Sequence, residues 1–110
     1  MTNLIALRSL CNAMCNTFYP DADTLLLALF NEGLAADGNA APKDESILRL
    51  SVSLVMGYVE ASRSENGVST SVRAEQVKES IRYWCGIYGL SSDEVLGDYV
   101  RKIEDGSNLW

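Results

Sequence analysis

Histidine is absent from this 110-residue chain. Without an imidazole there is no Ser-His or Cys-His nucleophile pair and no His-bearing zinc site. Positive charge is scarce: 9 Lys and Arg stand against 15 Asp and Glu, a formal net charge of −6. Broad attraction to phosphate backbones or anionic lipid is therefore disfavoured, and no direct nucleic-acid binding is expected. No apolar run is long enough for a bilayer. The best stretch, Ile47 to Val59, carries Arg49, Ser51 and Ser53, whereas a span needs about 20 predominantly apolar residues. The opening Met1-Thr2-Asn3-Leu4-Ile5-Ala6-Leu7-Arg8 lacks the basic start and unbroken apolar run of a secretion signal. Cysteines number 3, Cys11, Cys15 and Cys85, an odd count without framework spacing. They read as reduced thiols in a cytoplasmic protein.

What remains is ordinary globular composition, 47% hydrophobic and 22% charged, and enough chain for one modest core. A domain of this length buries roughly 65% of the surface its unfolded chain exposes. The expected fold class is all-α, a compact bundle of about five helices, with residues 1–102 as a single domain and 103–110 as a C-terminal tail. Asn3 is placed to cap a first helix running to about Asn16, with apolar residues at three- and four-residue steps. Phe18-Tyr19-Pro20 breaks the pattern, because proline disfavours helical geometry in the residue before it. Asp21 or Asp23 caps a second helix, Thr24 to Asn31, whose Leu25, Leu26, Leu29 and Phe30 form a wide apolar stripe. Gly33 stops it, and 34–42 reads as a loop of small residues with Pro42 at its exit.

A third helix is expected from near Lys43 to about Ser62, with Asp44 and Glu45 at its positive end. Leu48, Leu50, Val52 and Leu54 alternate with polar residues, which is strand periodicity, but the length without a turn signal favours a helix. Ser64 to Val72 differs in kind. Asn66-Gly67 is the pair favoured in a two-residue hairpin, and Val68, Thr70 and Val72 are β-branched at alternate positions. A short β-hairpin or extended arm is expected at 64–72. A fourth helix follows, Ala74 to Tyr88, burying Val77, Ile81, Trp84, Cys85 and Tyr88 and ending at Gly89. Ser92 caps a short last helix to about Val100. Gly57 and Gly86 fall inside helical patterns at a cost of about 1 kcal/mol relative to alanine, which suggests close helix approach.

Little of this composition supports catalysis. Cys11 and Cys15 lie four apart on one helix face and could share a metal, but a closed Cys₄ or Cys₃His set cannot be built. Small core hydrophobes are the simpler reading. The carboxylate pairs Asp21/Asp23, Asp44/Glu45 and Asp93/Glu94 each fall in a first helical turn, where negative charge offsets the macrodipole. No glycine cluster forms a phosphate-cradling loop. Neither a cofactor nor a catalytic residue is expected. The basic residues Arg63, Arg73, Lys78, Arg82, Arg101 and Lys102 are interleaved with glutamates and read as a solvated mixed face.

The arm and the tail ask for more. A lone hairpin is marginal in water and calls for a partner edge. The closing Leu109-Trp110 must pack on its own core or dock on a neighbour. Glu65-Asn66-Gly67-Val68-Ser69-Thr70-Ser71, a helix ending Ile87-Tyr88-Gly89, and Ile103-Glu104-Asp105-Gly106-Ser107-Asn108-Leu109-Trp110 resemble a group of small uncharacterised proteins of Bacteroides-type bacteria and their prophages. There an E-G-x-S-like segment precedes a helix of Y-x-x-Y-G flavour, and the chain finishes on D-x-S-x-W. The likeness covers mainly 65–110, with Tyr19-Pro20 and Gly33-Leu34 extending it. It departs at Trp84-Cys85-Gly86 and in an insert at 91–98.

Proteins of this outline are similar to phage head–tail connector (neck adaptor) subunits, an analogy at the level of fold. The resemblance implies a non-enzymatic assembly protein, one that can be carried in the virion, that self-associates or contacts portal or tail components. Its implied contact residues are Glu65, Asn66, Gly67, Val68 and Ser69 in the arm and Ile103, Asp105, Ser107, Asn108, Leu109 and Trp110 in the tail. The alternative is a small cytosolic regulatory or adaptor domain that binds a protein partner through an apolar helix face.

Overall fold

The chain begins its first helix one residue earlier than its asparagine cap signal suggests. Thr2 is the N-cap, its Oγ1 accepting from Ile5 N at 3.2 Å, and α1 runs Asn3–Met14. Asn3 is buried instead, its Nδ2 donating to Ala35 O at 2.8 Å. The computed structural model describes residues 1–66 and 69–97, with side chains described at 1–60 and 75–97. Beyond α1 it contains α2 (Ala22–Asn31), α3 (Glu45–Asn66) and α4 (Ser69–Ile87), and a further helix, α5, at 92–97. The fold is all-α, with no strand among the described residues.

Local chemistry sets the helix ends. Asp44 starts α3, its Oδ1 accepting from Ser46 N at 2.9 Å. Lys43, expected inside that helix, sits just before it at φ 55°. Asp21 occupies the N-cap of α2 without bonding a backbone N–H there; it accepts from the Thr24 hydroxyl. Ser91, not Ser92, caps α5, its Oγ accepting from Glu94 N at 3.4 Å. Both α2 and α4 end in the same motif. Gly33 and Gly89 take φ of 73° and 72°, which costs glycine no Cβ clash. Leu34 N then reaches Leu29 O, and Leu90 N reaches Cys85 O, each at 2.9 Å, so carbonyls that a helix end leaves orphaned are satisfied.

The helices pack α1 on α3 and α4, α3 on α4, and α2 on α1. Their shared core includes Leu7, Cys11 and Met14 from α1, Leu25 and Leu29 from α2, and Ile81 and Cys85 from α4. On α3 the buried positions Leu48, Val52, Val55, Met56 and Val59 follow a 3.6-residue period. The apparent strand alternation resolves accordingly: Leu50 and Leu54 lie half-buried on the flank. Ser51 is fully buried among the apolar side chains, its Oγ donating to Leu48 O at 2.6 Å. A hydroxyl bonded back into its own helix avoids the penalty of an unpaired buried donor.

The expected arm is corrected by this architecture. Backbone at 64–66 is the last turn of α3 and at 69–72 the first turn of α4, so no hairpin spans 64–72. Asn-Gly tolerates positive φ at a helix end as well as in a hairpin. The weak preference of β-branched residues for strands is smaller than the gain from continuing an amphipathic helix that buries Val77, Ile81 and Cys85 downstream. The glycine reading is also corrected. Gly57 and Gly86 are exposed, and a Cβ built on either meets nothing within 4 Å.

Candidate functional site

Burial governs the state of the cysteines. Cys11, Cys15 and Cys85 lie in the core. Desolvation pushes the Cys11 thiol up to about 12. Burial raises Cys85 also, partly countered by the Arg49 guanidinium. A metal ligand or nucleophile must be a thiolate, which burial opposes at Cys11 and Cys85. Among the described residues no three His, Cys, Asp or Glu side chains gather where they could hold a metal ion. The Asp44 carboxylate caps α3, and that of Asp21 is taken up by the Thr24 hydroxyl. No helix among the described residues is long and apolar enough to cross a membrane.

Of the expected contact residues, Glu65 and Asn66 close α3 and Ser69 opens α4. Gly67 and Val68 lie outside the described residues, as do Ile103, Asp105, Ser107, Asn108, Leu109 and Trp110 and the whole 103–110 tail.

The structure adds a surface that the sequence pattern had assigned to the core. On α2 only Leu25 and Leu29 are buried. Leu26 is 41%, Leu27 59% and Phe30 78% exposed. With Leu34, Ala35 and Ala36 these three line a trough of about 450 Å³. Its far wall is held by the start of α1. Orphan donors of that helix's first turn are taken up by the loop, Asn3 N by Gly38 O at 2.8 Å and Leu4 N by Ala36 O at 3.1 Å. The Asn3 side chain ties down Ala35, and Ala40 N reaches Met1 O at 2.8 Å. The trough is thus preformed, lined by hydrocarbon, with Asp23 on the same helical stripe as Leu26, Leu27 and Phe30. A signal for it was present: Leu25-Leu26-Leu27-Ala28-Leu29-Phe30 is apolar all round a helix, more than one buried face requires.

A second concavity, about 390 Å³, opens between α1 and the turn after it, lined by Arg8, Ser9, Asn12, Phe18, Tyr19 and Pro20. Phe18 is fixed by stacking on Tyr58, ring centroids 4.6 Å apart and planes 19° from parallel. Tyr19 is 78% exposed. Asn12 Nδ2 is shut off from solvent and has no hydrogen-bond partner.

No curated protein and no solved structure matches the chain. The model of a family of unknown function, DUF6706, matches it over residues 1–110. With its whole length covered, the chain belongs to that family.

Proposed function

We propose that this chain is a non-enzymatic assembly protein of prophage origin, a head–tail connector-like subunit, and that the outer face of α2 is one of its protein contact surfaces. The observation that carries the contact role is the preformed apolar trough with Leu26, Leu27 and Phe30 exposed along it. Fully burying such side chains is worth about 1.5–3 kcal/mol each, and contiguous exposed apolar surface on a soluble domain marks an interaction site. The trough offers no acid, base or nucleophile, so it suits a partner's apolar side chains better than a reacting substrate. The prophage assignment rests on the likeness at 65–110. A face used head-to-tail between copies closes into a ring when the rotation permits, which is the geometry a connector requires.

The test is sedimentation of the intact protein, alone and co-expressed with portal or tail components of its own prophage. The expected result is self-association or stable co-purification that Phe30→Ser and Leu27→Asp abolish while helicity stays intact. A monomer that ignores those components and binds a transcription factor through the same face would establish the adaptor reading instead.

A further inference from the structure

The cleft beside α1 adds to an apolar lining the charge and hydrogen-bonding groups that the α2 trough lacks. Arg8 is the charged residue of its lining, in a chain whose formal net charge is −6. Around it stand the exposed Tyr19 ring, the Phe18 ring held by Tyr58, and Pro20. The Ser9 hydroxyl and the Asn12 amide add hydrogen-bonding capacity, and Asn12 Nδ2 has no acceptor. An unpaired buried donor of this kind carries an uncompensated desolvation cost, which an incoming carbonyl or carboxylate relieves once the amide turns toward it. Aromatic rings, a guanidinium and a few amide and hydroxyl groups in a few hundred Å³ suit a short peptide that carries both an aromatic ring and negative charge.

The chain contains such a peptide. Residues 103–110, Ile-Glu-Asp-Gly-Ser-Asn-Leu-Trp, combine two adjacent carboxylates with a leucine and a tryptophan. We infer that this cleft is the receptor for the 103–110 segment, supplied by a neighbouring copy, an assignment that rests on the assembly reading above. Charge decides between the two concavities. The α2 trough, lined by hydrocarbon, offers the segment's Glu104 and Asp105 no cation; at the α1 cleft they meet Arg8. Reach is no obstacle: the residues from 98 to 110 extend up to roughly 45 Å, more than the 39 Å longest dimension of the molecule. Trp110 or Leu109 fills the aromatic end, and the carboxylates pair with the guanidinium.

The experiment is charge reversal with rescue, in the full chain. Arg8→Glu alone, and Glu104→Arg with Asp105→Arg, are each expected to weaken self-association by at least about tenfold in sedimentation. Combining all three in one chain restores it to within a few-fold, which loss of folding cannot mimic. A labelled 103–110 peptide should also bind the full chain carrying Leu109→Ala and Trp110→Ala, and bind its Arg8→Glu version at least about tenfold more weakly. Association unchanged by either reversal, yet lost with Phe30→Ser, overturns the cleft assignment and leaves the assembly reading standing. Peptide binding by a protein that stays monomeric overturns the neighbouring-copy assignment and the self-association with it. No peptide binding and no rescue overturns the pairing of cleft and segment altogether.

Discussion

Raising the pH through the thiol range should destabilise this protein by an amount traceable to Cys11. Its side chain is fully buried, and desolvation raises its pKa from 9.0 to about 12. Above pH 9 the unfolded chain releases this proton and the folded chain keeps it. The stabilisation from the protonated buried thiol is therefore complete below about pH 9 and is lost as the pH climbs toward 12. At about 1.36 kcal/mol per pH unit, the loss between pH 8 and pH 10.5 comes to about 2 kcal/mol from Cys11 alone. Cys85 and Tyr88 move in the same direction, the first through burial and the second through burial and the nearby Asp44 carboxylate. The clean readout is a difference. Urea unfolding of the wild type and of Cys11→Ala, under reducing conditions at both pH values, should show a wild-type decline about 2 kcal/mol steeper. Whatever the sulfur contributes to packing is the same at both pH values and cancels. Parallel declines would refute the reasoning, as would rapid labelling of Cys11 by a thiol reagent in the native protein.

Removing the clamp at the start of α1 should loosen the trough wall. Asn3→Ala deletes the 2.8 Å bond to Ala35 O and is expected to cost about 1–2 kcal/mol in thermal or chemical unfolding, with faster amide exchange at 35–39. The glycines should split into opposite classes in the same assays. Gly57→Ala and Gly86→Ala, in exposed helix with open space around them, should each stabilise by about 0.5–1 kcal/mol. Gly33→Ala and Gly89→Ala, at φ of 73° and 72°, should each destabilise by about 1 kcal/mol. Ile81→Ala, at a fully buried position, should cost about 2–5 kcal/mol, whereas Phe30→Ser should leave monomer stability nearly unchanged and act only on association.

The second and fourth helices, with Gly33 and Gly89 as their stops, were legible because those signals are local. A stripe repeating at three and four residues, followed by a glycine that accepts positive φ, needs no distant partner to act. The caps shifted by a residue where two oxygen-bearing side chains were adjacent. Thr2 took the role expected of Asn3 because the loop carbonyls at 35 and 38 claimed the asparagine. Asn66-Gly67 misled for the opposite reason. The same dipeptide serves a hairpin or a helix end, and the choice belongs to the long helices on either side.

Sequence alone was enough to determine the helical class, the single core and the exclusion of histidine chemistry, since composition and short-range periodicity decide those matters. It also placed all three cysteines inside, as small apolar side chains. Which face of α2 is buried was a tertiary decision. Six consecutive apolar positions fit a core on either side, and only the docking of Leu25 and Leu29 against α1 turned Leu26, Leu27 and Phe30 outward. One wall of the cleft at Arg8 is likewise held by Phe18 stacking on Tyr58, forty residues distant in the chain. Both concavities are lined by residues near one another in the chain, within 26–36 and 8–20, but what fixes their walls, the docking of α2 on α1 and the Tyr58 ring under Phe18, comes from outside those stretches, and no local pattern encodes it.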